Sequence, residues 1–283
     1  MAPLILLVFL RVLGSLGVLC GRAFRHLATN SKKALGLGDV NLILLERGEV
    51  DDAGVVRLAD DRARHLKHVL AVSAGQEIRI GVLDGPIGRG IVVSVDDASV
   101  TLTCEFGETP ARPPVDLLLA LPRPKVLRRL WAQLAALGVG RVMLTNAQRV
   151  ERNYFDTHFL DPAIYGPLLV EGLQQARDTR LPIVTTHRQF RVLIEDDLDT
   201  LVGDARRLVA HPSGESSIFD ACRLATGSRV LIAIGPEGGW NRFELELLRD
   251  HKFTSVSMGP RTLRVDTACV ALLALLNDAL LAT

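Results

Sequence analysis

From Val115 to the end of the chain, short apolar runs alternate with segments of helical period, and this alternation constrains the fold more than any other feature. Val115–Leu121 is a nearly continuous apolar run of strand length, as expected of a strand covered on both faces. Pro124 then opens a helix that Gly138 closes, the usual placing of proline at a helix start and glycine past its end. Leu127, Leu130, Trp131, Leu134 and Leu137 share one face of it, with Arg128 and Arg129 off that face. The pattern goes on to predict a strand at Val139–Leu144, a helix core at Leu168–Ala176, and strands at Ile183–Thr185, Leu208–Ala210 and Arg229–Ile234. A helix at Phe243–His251, a short strand at Ser255–Met258 and a very apolar last helix at Thr267–Ala282 complete it. Such alternation predicts an α/β domain with a mostly parallel sheet.

The preceding part has a different period. Asn41–Leu45, Gln76–Leu83, Gly90–Val95 and Val100–Phe106 are strand-like runs bounded by Gly- or Asp-rich turns, and their spacing suggests a small β-barrel. Between them Asp61–Val72 reads as a short helix carrying Arg62, Arg64, His65, Lys67 and His68. The stiff connector Thr109–Pro114 (TPARPP) marks a domain boundary, giving one domain over 41–112 and a second over 113–283.

Residues 1–40 stand apart as a leader. Met1–Cys20 is apolar, broken only by Arg11, and the first acid is Asp39. A signal peptide, an organelle transit peptide and an over-extended start with translation from near Val40 compete, and the last is favoured. Arg11 in mid-stretch disfavours a membrane span. A cytoplasmic enzyme is expected, with a mitochondrion or plastid as the alternative. A net charge of +1 argues against a strongly basic nucleic-acid coat, though not against a local patch. Four scattered cysteines without a C-x-x-C pattern fit a reducing compartment and buried free thiols. His65 and His68 lack nearby Cys or His partners in sequence, so no metal site is expected.

Three segments carry chemistry. Ile234–Trp240 (IGPEGGW) follows a buried strand and precedes a helix; its glycines let a ligand approach the backbone, and Glu237 sits mid-loop. Met258–Ala268 (MGPRTLRVDTA) again leaves a strand and enters a helix, with Arg261 and Arg264 supplying fixed positive charge. Ala210–Gly214 (AHPSG) ends a third strand. Each alone could be a turn or a helix cap. Three loops from three strand ends of one sheet would make one pocket.

Together these residues resemble the RsmE family of ribosomal RNA small-subunit methyltransferases, of the SPOUT class. The resemblance rests on IGPEGG followed by an aromatic residue and on MGPRTLRVDTA. It extends through LPRPKVLRRL at Leu121–Leu130, QARDTRLP at Gln175–Pro182, RHLKHVL at Arg64–Leu70 and NLILLE at Asn41–Glu46. There are departures: Ala135-Ala136-Leu137-Gly138 stands where many members have TELG, Gln174 replaces a common Glu, and Asp266 stands where Glu is usual. The chain thus looks like a divergent branch.

The resemblance implies a trefoil-knotted methyltransferase domain behind a PUA-like RNA-binding barrel, a homodimer, S-adenosylmethionine as cofactor, and methylation of N3 of a uridine in 16S ribosomal RNA. Cofactor contacts are expected at Ala210, His211, Pro212, Gly235, Gly238, Met258, Leu263 and Thr267. Arg264 would stabilise the negative charge of a deprotonated uridine, and Glu237 or Asp266 would act as base if burial raised its pKa. For either carboxylate a helix cap or salt bridge is nearly as good a reading. Arg62, Arg64 and Lys67 on one helix, and Arg123, Lys125 and Arg128 on another, would meet RNA phosphates. Rival readings are an NAD-dependent oxidoreductase, whose G-x-G-x-x-G fingerprint is absent, and a non-catalytic RNA-binding protein.

Overall fold

The computed structural model describes residues 42–222 and 229–281, and the leader expectation for 1–40 lies outside them. The described residues belong to one compact unit. They form two sheets, each with its own apolar cluster.

The first sheet contains β1 (Ile43–Leu45), β2 (Val55–Leu58), β3 (Glu77–Val82), β4 (Ile87–Val95) and β5 (Val100–Phe106), in the order β1-β3-β4-β5-β2. Only β1 and β3 pair in parallel. Strand β2 was not expected: VVRL is too short to show alternation, and it is placed by pairing with β5 rather than by its own period. Helix α1 (Asp61–His68) follows it, capped by Asp60, whose side chain accepts from the Arg62 N–H, and it stops short of the expected Val72. Alternation along β1 serves two masters. Ile43 and Leu45 enter the small cluster, whereas Leu42 and Leu44 enter the large one.

The second sheet is parallel throughout, as the strand–helix alternation requires. It comprises β6 (Val115–Ala120), β7 (Val139–Thr145), β8 (Ile183–His187), β9 (Arg206–Ala210), β10 (Val230–Ile234) and β11 (Thr254–Val256). The spatial order is β11-β9-β10-β6-β7-β8. The chain starts at β6, runs outward through β7 and β8, and returns on the other side, where β10 lies between β9 and β6. Every residue of β6 is buried, including Asp116, whose carboxylate pairs with Arg229 at 2.6 Å.

The longer helices of this part are α2 (Pro124–Ala136), α3 (Pro162–Ala176), α4 (Arg242–Asp250) and α5 (Val265–Leu281). Helix α3 begins well before the expected core because Asp161 caps it, accepting from the Ala163 N–H at 2.9 Å; Pro167 inside it had masked the period. Helix α5 starts at Val265, two residues earlier than expected. Among the described residues no helix is long and apolar enough to cross a membrane. Cys104 and Cys269 are buried free thiols, and burial pushes the Cys269 thiol far up.

The QARDTRLP segment ties the two sheets together. Thr179 is fully buried and its Oγ1 donates to the Gly85 carbonyl at 2.7 Å. Asp84, in the same turn as Gly85, pairs with Arg112 at 3.2 Å and Arg180 at 3.7 Å.

Candidate functional site

Strands β11, β9 and β10 are neighbours and parallel, so their carboxyl ends open side by side on one sheet edge. The loops leaving them meet around one hollow of about 280 Å³, near the lower end of the usual range for small-molecule sites. Ala210, His211 and Pro212 come from the first loop, Gly235 to Trp240 from the second, and Met258, Gly259 and Arg261 to Leu263 from the third. Val265, Ala268 and Leu272 of α5 complete the wall.

Local chemistry holds the loops in this arrangement. The His211 N–H donates to the Val256 carbonyl at 3.0 Å, and Ser257 Oγ donates to the Pro212 carbonyl at 3.0 Å, joining the first loop to the third. Gly214 lies against the Val256 backbone, where a Cβ would come within 2.4 Å of the carbonyl carbon. In the second loop the Gly239 N–H closes a turn onto the Pro236 carbonyl at 2.7 Å, with φ of +71° at Gly239, which favours glycine.

The loop's exit is fixed by a capping box. Asn241 Oδ1 accepts from the Glu244 N–H at 2.8 Å, and Glu244 Oε2 accepts from the Asn241 N–H at 2.7 Å. Glu244 is buried, and its other oxygen accepts from the Gln148 N–H at 2.7 Å, fixing the turn after β7. From that turn Arg149 donates to the Gly238 carbonyl. Sequence reading missed Arg149 and Glu244 as parts of this site. The N-x-x-E pattern at 241–244 could have revealed Glu244; nothing local points to Arg149, whose contact spans 89 residues.

The sequence-derived site residues divide. Ala210, His211, Pro212, Gly235, Glu237, Gly238, Met258 and Leu263 all line the hollow. Thr267 does not. Because α5 begins at Val265, the helical turn presents Val265 and Ala268 to the hollow and leaves Thr267 exposed. Arg264 is exposed, adjoins the lining residues Leu263 and Val265, and its guanidinium has no partner among the described residues.

Neither carboxylate is buried. Glu237 is exposed, and its Oε1 accepts from the Arg123 N–H at 3.1 Å, at the start of α2. Arg123 supplies no side-chain cap of its own there, so a carboxylate from another loop stands beside the helix N-terminus. Asp266 pairs with Arg129 at 2.6 Å, and that hydrogen bond holds its carboxyl below the usual carboxylate range. The cap and salt-bridge readings therefore describe both side chains in this structure, and the expected shift is reversed at Asp266.

The cations expected to meet RNA divide as well. Arg62 is engaged by Glu49 and Asp60, both at 2.6 Å, and donates to the Leu44 carbonyl, so its donors are already occupied within the protein. Arg64 pairs with Asp61, and Lys67 donates to the Asp97 carbonyl. On α2, by contrast, Lys125 and Arg128 are exposed without side-chain partners among the described residues, and Arg123 is exposed at its start.

Comparison with known proteins gives this geometry its context. An RNA methyltransferase domain family matches residues 109–277. Ribosomal RNA small subunit methyltransferase E of Treponema pallidum is 31% identical over 82% of this chain and 88% of its own length. The Borreliella burgdorferi ribosomal RNA small subunit methyltransferase E 1 is 22% identical over 82% of this chain and 95% of its own. Ribosomal RNA small subunit methyltransferase E of Neisseria gonorrhoeae, solved bound to S-adenosyl methionine, shares the fold with a TM-score of 0.65 at 18% identity, over 84% of this chain and 97% of that one. With three strand-end loops closing on one hollow and a match of this length and level, the chain belongs to the ribosomal RNA small subunit methyltransferase E family of RNA methyltransferases.

Proposed function

We propose that the chain transfers a methyl group from S-adenosylmethionine to N3 of one uridine in 16S ribosomal RNA. The observation that carries this reading is the meeting of the loops after β9, β10 and β11 around one hollow. Its walls fit the cofactor. Met258 and Leu263 are 37% and 38% exposed and give apolar surface for an adenine face, while the glycine-rich second loop brings backbone close to a ligand. Bound there, the cofactor supplies an electrophilic methyl group.

The chain's own residues supply orientation and charge. N3 of uridine must lose its proton, which passes to solvent water, and the negative charge then spreads over N3 and the flanking oxygens. Arg264, exposed beside the hollow and without a partner among the described residues, is the group to stabilise it. Ala210, His211, Pro212, Gly235, Gly238, Met258 and Leu263 hold the cofactor. Glu237 and Asp266 act by holding the loops against α2. Exposed Lys125, Arg128 and Arg123 take RNA phosphates.

Several finer assignments belong to the same reading. The first sheet acts as a PUA-like RNA-binding domain over 41–112, ahead of the methyltransferase domain over 113–283. The placing of β10 between β9 and β6 supports a knotted path through the second domain. Phe243, 55% exposed, adds apolar surface suited to a homodimer interface near the cofactor loops. Bacterial relatives named as ribosomal RNA small subunit methyltransferases support work in the cytoplasm.

The test is methyl transfer to unmodified small ribosomal subunits, read by mass spectrometry of nucleosides. Wild-type protein yields N3-methyluridine, and Arg264→Ala lowers turnover on the order of a hundredfold. S-adenosylmethionine raises the melting temperature, and NAD does not. Methylation at another ring atom, or stabilisation by NAD alone, would overturn the reading.

A further inference from the structure

Both carboxylates that the sequence offered as bases contact the same basic helix. Glu237, from the loop after β10, meets the start of α2, and Asp266, at the start of α5, meets Arg129 further along it. Helix α2 therefore touches two of the pocket's loop-and-helix segments while presenting Lys125 and Arg128 to solvent.

The arginines of the two basic helices differ in how firmly they are held. Arg62 is only 19% exposed and has two carboxylates and a carbonyl as acceptors. Arg129 is 56% exposed and has one carboxylate partner. An exposed ion pair of this kind is weak and screened by salt, whereas a guanidinium meets phosphate through paired hydrogen bonds. Asp266 would not be stranded by losing Arg129. Its Oδ1 accepts from the Thr267 N–H at 3.0 Å, and a carboxylate in the first turn of a helix is favoured by the helix dipole.

We propose that Arg129 is a phosphate-binding residue held in reserve: Asp266 occupies it in the free enzyme, and RNA arriving on α2 exchanges the Arg129–Asp266 pair for an Arg129–phosphate pair. The inference rests on the reading of α2 as the RNA face. Asp266 thereby discounts the binding of any polyanion that does not reach Arg129, and the exchange takes place two residues from Arg264.

The test is affinity for unmodified small ribosomal subunits, measured across a salt series. Removing the competitor tightens binding: Asp266→Asn raises affinity about threefold, the scale of an exposed ion pair. It also steepens the salt dependence by about one counterion, because Arg129 then meets phosphate without first giving up a partner. Asp266→Ser, which keeps a polar acceptor at the helix start, gives the same gain if the amide variant folds poorly. In an Arg129→Met background the gain disappears, whereas Arg129→Lys retains part of it. An equal gain with and without Arg129 would mean general charge repulsion and would overturn the exchange, as would no gain at all. Lys125→Ala and Arg128→Ala separate the two levels. If both weaken binding while Asp266→Asn does nothing, the exchange alone fails; if neither weakens it, the RNA reading of α2 fails and the exchange falls with it.

Discussion

Helices α1 and α2 look alike as stretches of sequence, each a short segment with several basic residues, yet the structure uses them for opposite ends. On α1 the charges are spent internally, with Arg62 closing a cluster of Glu49, Asp60 and the Leu44 carbonyl, and with Arg64 and Lys67 engaged by Asp61 and the Asp97 carbonyl. On α2 the apolar face carries Leu127, Leu130, Trp131 and Leu134 into the core, and Lys125 and Arg128 are exposed without side-chain partners among the described residues. A run of basic residues thus says little about partners until the acids around it are placed. The first helix is a fastening within the first sheet; the second keeps exposed cations, which the proposed function assigns to RNA phosphates.

The largest effect that can break this contrast is at Arg62. Arg62→Ala should cost about 2 kcal/mol of stability, since it removes the guanidinium that two carboxylates and the Leu44 carbonyl share. Chemical denaturation measures it, and a stability-neutral variant that loses RNA binding would reverse the assignment. The same cluster has a pH signature. Hydrogen bonding to Arg62 holds the Glu49 and Asp60 carboxyls below their usual values. Lowered folded pKa values mean that the stabilisation is complete above the ordinary carboxylate range and is lost as pH falls through the folded values. Denaturation from neutral pH into that acid range should show a slope that Arg62→Ala flattens.

Next come Lys125→Ala and Arg128→Ala. Each should leave the melting temperature unchanged, weaken binding to small ribosomal subunits severalfold, and reduce the salt slope by about one. A loss of stability without a change in slope would place these residues with Arg62. The smallest effect is at Arg64, whose pair with Asp61 is largely exposed. Arg64→Ala should change stability by less than about 0.5 kcal/mol, and RNA affinity should stay within error. A clear loss of RNA binding there would show that α1 also reaches the nucleic acid.

Much of the architecture is legible without coordinates because it is written in local period. The continuous apolar run of β6, the proline and glycine that bound α2, and the glycine-rich exits from β9, β10 and β11 all act over a few neighbouring residues. The missed elements lacked such a signal. Strand β2 has only four residues, and the first turns of α3 are interrupted by Gly166 and Pro167. Most of the proposed cofactor contacts lie where loop position put them, on strand exits that a parallel sheet must bring to one edge.

The sequence by itself determined that strands and helices alternate, where the loops break, and which glycines permit a ligand close to the backbone. Tertiary structure alone decided which charges are free. Glu237 meets the Arg123 N–H across 114 residues of chain, and Asp266 meets Arg129 across 137. Backbone period is set by bonds and sterics within a few residues, so it can be read from neighbours; an ion pair is made wherever the fold brings two side chains together, and no local pattern carries that information.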